Sequence, residues 1–319
     1  MKLPSPHLQI GFAIKLKASG ADHLQAALLE HMAKASVAAV DLELKKLASP
    51  KGLAALAAKG LRGELVYATP TLLRAYPKLL GYYRLLLGYS QKAFYGRDVG
   101  LGRFKGMETT GQLNGKAASE VDALCAGLCV AANELLEGLD GLDLSAAFFN
   151  DLSLLTLGPQ FRGGANNAIG QGGVRDVFDV ISKIVANAGP VATEKLITLK
   201  NAAGRAVLIE FGADPDVTVQ VALEEDVFAK VLAIEIKAGS DGSNRGNRLG
   251  EAEKSHLAAK ANGFTVFWTI ENTSGFDEAV ARGQSPTTSR FYRLADLTSG
   301  SGPGYTDFRS RLLLAMGLS

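Results

Sequence analysis

Two cysteines in 319 residues are too few for a disulfide-stapled secreted domain and fit a reducing compartment. Cys125 and Cys129 stand one helical turn apart in an apolar stretch with no histidine nearby. Core packing accounts for them more simply than a metal site does. The four histidines, His7, His23, His31 and His256, are scattered and form no H-x-x-x-H pair. Nothing arranges a serine or cysteine triad. The opening residues lack the unbroken apolar run of a signal peptide. The apolar stretch 72–87 is interrupted by Arg74, Lys78 and Arg84, so no membrane span is expected. A soluble, cytoplasmic protein follows as the expectation. An excess of one charge is also missing: 34 Lys and Arg face 32 Asp and Glu, a net charge of +2. That excludes a histone-like coat of bases but leaves room for a local basic face. No internal repeat, low-complexity segment or clear linker breaks the chain.

The first half reads as helices. Residues 22–36 and 37–47 are rich in Ala, Leu, Lys and Glu, and "SPKGLAALAAKG" has a Ser-Pro start and a Gly stop. Helical character continues over 70–95 with a break at Pro77. A glycine-rich turn follows at 95–106, then an apolar-striped helix over 116–139. The second half changes period. An amphipathic helix is expected over 174–189, then short strands at 195–199, 206–211, 217–223 and 228–237. "NAAG" at 201–204 reads as a hairpin turn, 250–262 returns to helix, and 264–270 is a buried strand. The division expected is a mainly helical region over 1–150 and a catalytic α/β core over 151–319.

The stretch "IEFGADPDVTVQVALEEDVFAKVLAIEIK" holds the clearest chemistry. Asp216 heads one strand, and Glu235 lies near the end of its neighbour. The acidic turn Glu224, Glu225, Asp226 lets the two strands fold back, so both acids converge. Phosphodiester hydrolysis needs a divalent cation held by hard oxygen ligands beside the phosphate, and Mg2+ is the expected one. In a strand, Glu235 and Lys237 share a face, which puts the lysine where it can stabilise hydroxide or developing phosphorane charge. Asp214 and Glu210 compete with Asp216 for the first ligand position, and either can serve as an outer acid. Taken singly, all of these are ordinary polar strand ends. Their joint placement points to a metal-dependent nuclease.

Two further clusters extend the site. In "GSDGSNRGNRLGEAEKSH", Asp241, Ser243, Asn244, Arg245, Asn247 and Arg248 precede a helix with Glu251, Glu253 and Lys254. Donors just after the catalytic strand suit a phosphate backbone, and Glu251 can add a further acid, although acids at a helix start are also favoured by the helix dipole. The segment 157–173 carries Gln160, Arg162, Asn166, Asn167 and Gln171 among glycines. These side-chain types read base edges bidentately and glycine lets the backbone approach closely, which suits contact with DNA; a polar surface loop joining two elements is the alternative. Residues 62–105 are basic with interleaved tyrosines, either a phosphate-facing surface or a core stripe. "GLGRFKG" at 100–106 follows no strand and lacks the ending of a nucleotide loop. "IEFGADPD" lacks the Gly-x-Gly of a methyltransferase.

"LLGYYRLLLGYSQKAFYG", "LTLGPQFRGGANNAIGQ" and "IEIKAGSDGSNRGNRLGEAEKSH" together resemble type II restriction endonucleases of the XcyI family, over most of the chain. The resemblance implies a PD-(D/E)XK core about 156–297, a mixed sheet flanked by helices, with a helical N-terminal region that wraps DNA or builds a dimer. It implies a Mg2+-dependent homodimer that cuts a short palindrome in double-stranded DNA, CCCGGG in members of the family. Asp216, Glu235 and Lys237 carry over as the catalytic set, and a protective methyltransferase is implied in the host. Two other readings stand beside it. A repair or structure-specific nuclease of the same core would cut by DNA shape, and a regulator would bind DNA without cutting.

Overall fold

Period-two and period-3.6 apolar patterns divide the chain, and the computed structural model shows where each wins. It describes residues 6–97, 99–224, 227–239, 245–273 and 277–318. Two compact units, Met1–Gly163 and Gly164–Ser319, form, the first ending within the long helix Ala146–Val185.

The first unit is helical among its described residues. Its starts are set locally: Ser49 caps the helix Pro50–Ala58 by accepting from the Gly52 amide at 3.0 Å, with Pro50 in the first turn. A single helix over 22–36 is not what forms. A helix runs His7–His23, Leu24 is extended, and a second runs Gln25–Met32. The break lets Leu24 turn inward and bury. Leu28, Leu56, Leu72, Tyr82, Phe94, Cys125 and Cys129 share one core. Burial pushes the Cys125 thiol up and the Cys129 thiol up to about 12, so both are inert packing.

Five of the eight bases in the run 62–105 are paired with acids, most of them from outside the run. Arg62 pairs with Asp41 and Glu64, Arg74 with Asp122, Lys78 with Asp22, and Arg103 with Glu120. Arg84 is buried against Glu108, both contacts 2.8 Å. Tyr82 and Tyr83 are buried and donate to the Leu65 and Glu64 carbonyls at 2.7 and 2.8 Å. The core-stripe alternative holds for these tyrosines.

The second unit is built on a seven-stranded mixed sheet in sequential order. The strands are β1 (Val191–Ala192), β2 (Leu196–Lys200), β3 (Ala206–Phe211), β4 (Val217–Glu224), β5 (Val227–Lys237), β6 (Val266–Glu271) and β7 (Arg290–Arg293). β1 to β5 run antiparallel, while β5, β6 and β7 pair in parallel. The β2–β3 turn forms at "NAAG": Gly204 has φ +75°, and Asn201 accepts from the amides of Ala203 and Arg205. β4 folds back on β5 as expected, although Glu225 and Asp226 lie outside the described residues. β7 had no apolar run to announce it; of "RFYR", only Tyr292 is buried.

Alternation along β5 decides what each face meets. Leu232, Ile234 and Ile236 pack with Val177 and Ile181 of the long helix and with Phe308 and Leu312 of the helix Pro303–Met316. Ala233 points the other way, into a cluster with Ala259 of the helix Arg245–Ala261 and with Phe267. Glu235 and Lys237 therefore share the face of that second helix.

The segment 157–173 is a correction: it is helical, part of Ala146–Val185, rather than a loop. Intrinsic propensity disfavours it, since glycine costs roughly 1 kcal/mol against alanine. Packing overrides propensity. Phe149 is buried before the segment and Leu157 at its first position, and Val177, Ile181 and Val185 are buried after it. One glycine has a packing role there: a Cβ on Gly173 would fall 2.2 Å from the Ala238 Cβ. The helix thus lies directly against the end of β5.

Candidate active site

A helix advances about 6 Å in four residues and a strand nearly 7 Å in two. The helix Arg245–Ala261 and β5 can therefore meet in matching steps. Ala259 packs in one cluster with Ala233. Four residues back, Ser255 Oγ donates to Glu235 Oε2 at 2.7 Å. Four further back, Glu251 Oε2 is 3.7 Å from Lys237 Nζ. The steps run from an apolar contact, through a buried polar one, to an ion pair at the open end. The sequence supplies this as E-x-K on the strand and E-x-x-x-S-x-x-x-A on the helix.

Glu235 is 5% exposed, and both its oxygens are held. Oε1 accepts from Lys237 Nζ at 2.8 Å, while Ser255 holds Oε2. Asp216 immediately precedes Val217, which pairs with Ile234, so it comes beside Glu235. Its Oδ2 accepts from the Ile236 amide at 2.7 Å. Desolvation by burial, and then the charge of Glu235, push the Asp216 carboxyl up to about 7; the Ile236 amide and Lys237 oppose the rise. Asp214 joins through Ser255, whose Oγ lies 2.5 Å from Asp214 Oδ1. Ser255 thus bridges Glu235 and Asp214, Lys237 lies between Glu235 and Glu251, and Asp216 sits beside Glu235. Glu210 is not brought in: its carboxylate accepts from Gln220 Nε2 at 3.0 Å on the exposed side of β3.

The donor set fits a hard divalent cation. Burial first, and then the neighbouring charge of Glu235, raise the Asp216 carboxyl to about 7, and a cation between the two acids would offset both. Among the described residues no three His, Cys, Asp or Glu side chains are arranged to hold a metal. Two protein acids with the remaining positions left to water and phosphate is the ordinary way of holding Mg2+.

The cluster opens into a cleft of about 1370 Å³. Asp216, Lys237, Arg248 and Glu251 line it together with Asn166, Asn167 and Gln171 of the long helix. Asn167 and Gln171 are four residues apart, so a helix aims them the same way, and Arg175 continues the stripe into the cleft. Arg248, half-buried, donates to the Gly239 carbonyl. Asn247 and Lys254 are exposed outside the lining. Asn244, with Asp241 and Ser243, lies outside the described residues, as does the side chain of Arg245. Gln160 and Arg162 belong to the first unit, where Gln160 Nε2 donates to the Thr156 carbonyl at 2.9 Å.

Sequence reasoning missed three residues here. Arg175 needed the helical period that the glycines obscured. Ser255 needed the helix-to-strand step. Glu271 is the register partner of Lys237 on β6; it is buried and accepts from Thr273 Oγ1 at 2.6 Å. Only parallel pairing across a distant crossover brings it there.

Known proteins resemble the chain over its whole length. The family model described as XcyI restriction endonuclease matches residues 13–319. The type II restriction enzyme XcyI of Xanthomonas campestris pv. cyanopsidis is 48% identical over 315 residues, covering 98% of this chain and 95% of that one. The type II restriction enzyme Cfr9I of Citrobacter freundii is 45% identical over 318 residues, covering 99% and 96%.

Proposed function

The chain belongs to the XcyI restriction endonuclease family and is a restriction endonuclease, and on that premise we propose that it cuts double-stranded DNA at a short palindrome, CCCGGG, with Mg2+ as cofactor. Asp216 and Glu235 would hold the cation, with Asp214 as an outer acid and Glu251 as a further acid at the open end. A bound Mg2+ lowers the pKa of water and offsets charge on the phosphate. Lys237, already beside Glu235, supplies a positive charge where the attacked phosphate becomes more negative. Water attacks in line with the departing 3′ oxygen and leaves a 5′-phosphate.

The observation that carries this reading is the Asp216–Glu235–Lys237 cluster opening into a cleft whose opposite wall presents amide side chains. Asn166, Asn167 and Gln171 suit base edges, while Arg248 suits a phosphate. Asn244, Arg245, Asn247, Lys254, Gln160 and Arg162 extend the contact set by residue type. A palindrome favours a two-fold homodimer, since each half-site then meets the same surface. The helical first unit would wrap the DNA or build that dimer, and a host methyltransferase would protect its own sites.

The test is a digest of unmethylated DNA containing CCCGGG, in Mg2+ and in EDTA, with wild type and Lys237→Ala. Discrete fragments are expected only with wild type and Mg2+, and Lys237→Ala should slow cutting by about 100-fold or more while binding DNA normally. Uncut DNA in every lane would overturn the catalytic reading. Equal loss of binding in the variant would make Lys237 structural.

A further inference from the structure

We propose that Ser255 is a positioning residue for the cleavage reaction. Its hydroxyl sets the Glu235 carboxylate in the orientation in which that acid and Asp216 take a divalent cation. The inference rests on the reading of those two acids as the cation's holders, and it assigns a role to a residue on a different element.

Ser255 is 5% exposed in the middle of a helix. Alanine would be the better helix former there, so the reason for a hydroxyl lies in what it touches. Its Oγ meets Glu235 Oε2 at 2.7 Å and Asp214 Oδ1 at 2.5 Å. It is not turned back onto the carbonyl of its own helix, the common use of a serine in mid-helix. Lys237 grips the other oxygen of Glu235 at 2.8 Å. With one oxygen held from the helix and one from the strand, the carboxylate plane cannot rotate. A hydroxyl carries one proton, so Ser255 donates to one acid at a time and keeps Asp214 within reach as the alternate acceptor.

The helix is itself held in one rotational setting from its other sides. Glu253 accepts from Ser285 Oγ at 2.9 Å and from the amide and hydroxyl of Thr287 at 3.0 and 2.6 Å. His256 Nε2 lies 3.0 Å from Thr269 Oγ1, and Thr269 is the β6 partner of Glu235. These contacts aim Ser255 at Glu235. Outer partners of this kind typically set metal affinity by about 10- to 100-fold.

The experiment is calorimetric titration of the full-length, DNA-free protein with Mn2+, for wild type, Ser255→Ala and Ser255→Thr. Ser255→Ala should bind Mn2+ at least about 10-fold more weakly. Ser255→Thr, which keeps the hydroxyl, should return most of that affinity. Cleavage by Ser255→Ala should need correspondingly more Mg2+, with DNA affinity in EDTA unchanged. Equal Mn2+ affinity in wild type and Ser255→Ala overturns the role of Ser255 alone. Loss in Ser255→Ala without recovery in Ser255→Thr makes the effect one of packing and also overturns it. A wild type that binds no Mn2+ overturns the cation reading on which it rests.

Discussion

Each unit buries a glutamate beside a base, and the two sites are opposite in balance. In the first, Glu108 receives two bonds from Arg84, one from Gln91 at 2.7 Å and one from Tyr95 at 2.6 Å. One acid meets one base, and every neighbour donates. Burial alone would raise the Glu108 carboxyl, but the hydrogen bonds and charge of Arg84 hold it below its ordinary range. In the second, Glu235 accepts from Lys237, the single proton of Ser255 is divided between Glu235 and Asp214, and Asp216 beside them accepts only from the Ile236 amide. There Asp216 rises to about 7. A complete set of donors marks a clamp that holds the fold. A surplus of acids suits something positive, which is the basis of the cation proposed above.

The comparison breaks first at Glu108. Replacing it with Ala leaves Arg84 buried and unpaired, which costs about 3–5 kcal/mol. A fall in Tm large enough to threaten folding is expected in a thermal melt. A fall of only one or two degrees would mean that Arg84 finds water, and that the first site is not closed.

The opposite sign is expected at Asp216. Its folded pKa stands above its ordinary 3.8, so the folded state binds the proton more tightly than the unfolded chain does. Stability of the metal-free protein should therefore fall as pH rises from about 4 to about 7. Asp216→Asn removes that loss. It should melt a few degrees above wild type at pH 8 in EDTA and equal wild type below pH 4, while cutting nothing. A variant less stable at pH 8 would show that Asp216 is a well-compensated acid like Glu108.

The smallest effects sharpen the contrast between bases. Arg74 is paired with Asp122 at the surface, so Arg74→Ala should change stability by less than about 1 kcal/mol. It should also leave the salt dependence of DNA binding as it was. Arg175→Ala, in the cleft, should lower the slope of log affinity against log salt by about one unit. Equal slopes for the two variants would move the DNA away from the long helix.

Local chemistry made much of this legible from residue order. Ser49-Pro50 starts a helix, Asn201 to Gly204 turns a hairpin, and the apolar run closing at Glu235 and Lys237 places β5. The mixed sheet beside a helical region was readable for the same reason. What escaped was whatever depends on partners far along the chain. The glycines of 157–173 mask a helix fixed by packing at its two ends. β7 needs Trp268 and Phe308 to give Tyr292 a place. The bases of 62–105 look like a DNA surface until acids as distant as Asp22 and Asp122 are seen beside them. Ser255 is the sharpest case, because a serine in a helix carries no signal until Glu235 faces it.

One measurement tests the central contrast most directly. Thermal melts of wild type and Asp216→Asn at pH 8, each in EDTA and in millimolar Mn2+, read whether the acid surplus is a cation site. Binding to the folded state alone must raise Tm. A rise with Mn2+ in wild type and a flat response in Asp216→Asn is the expected result. An equal rise in both proteins, or none in wild type, would contradict it.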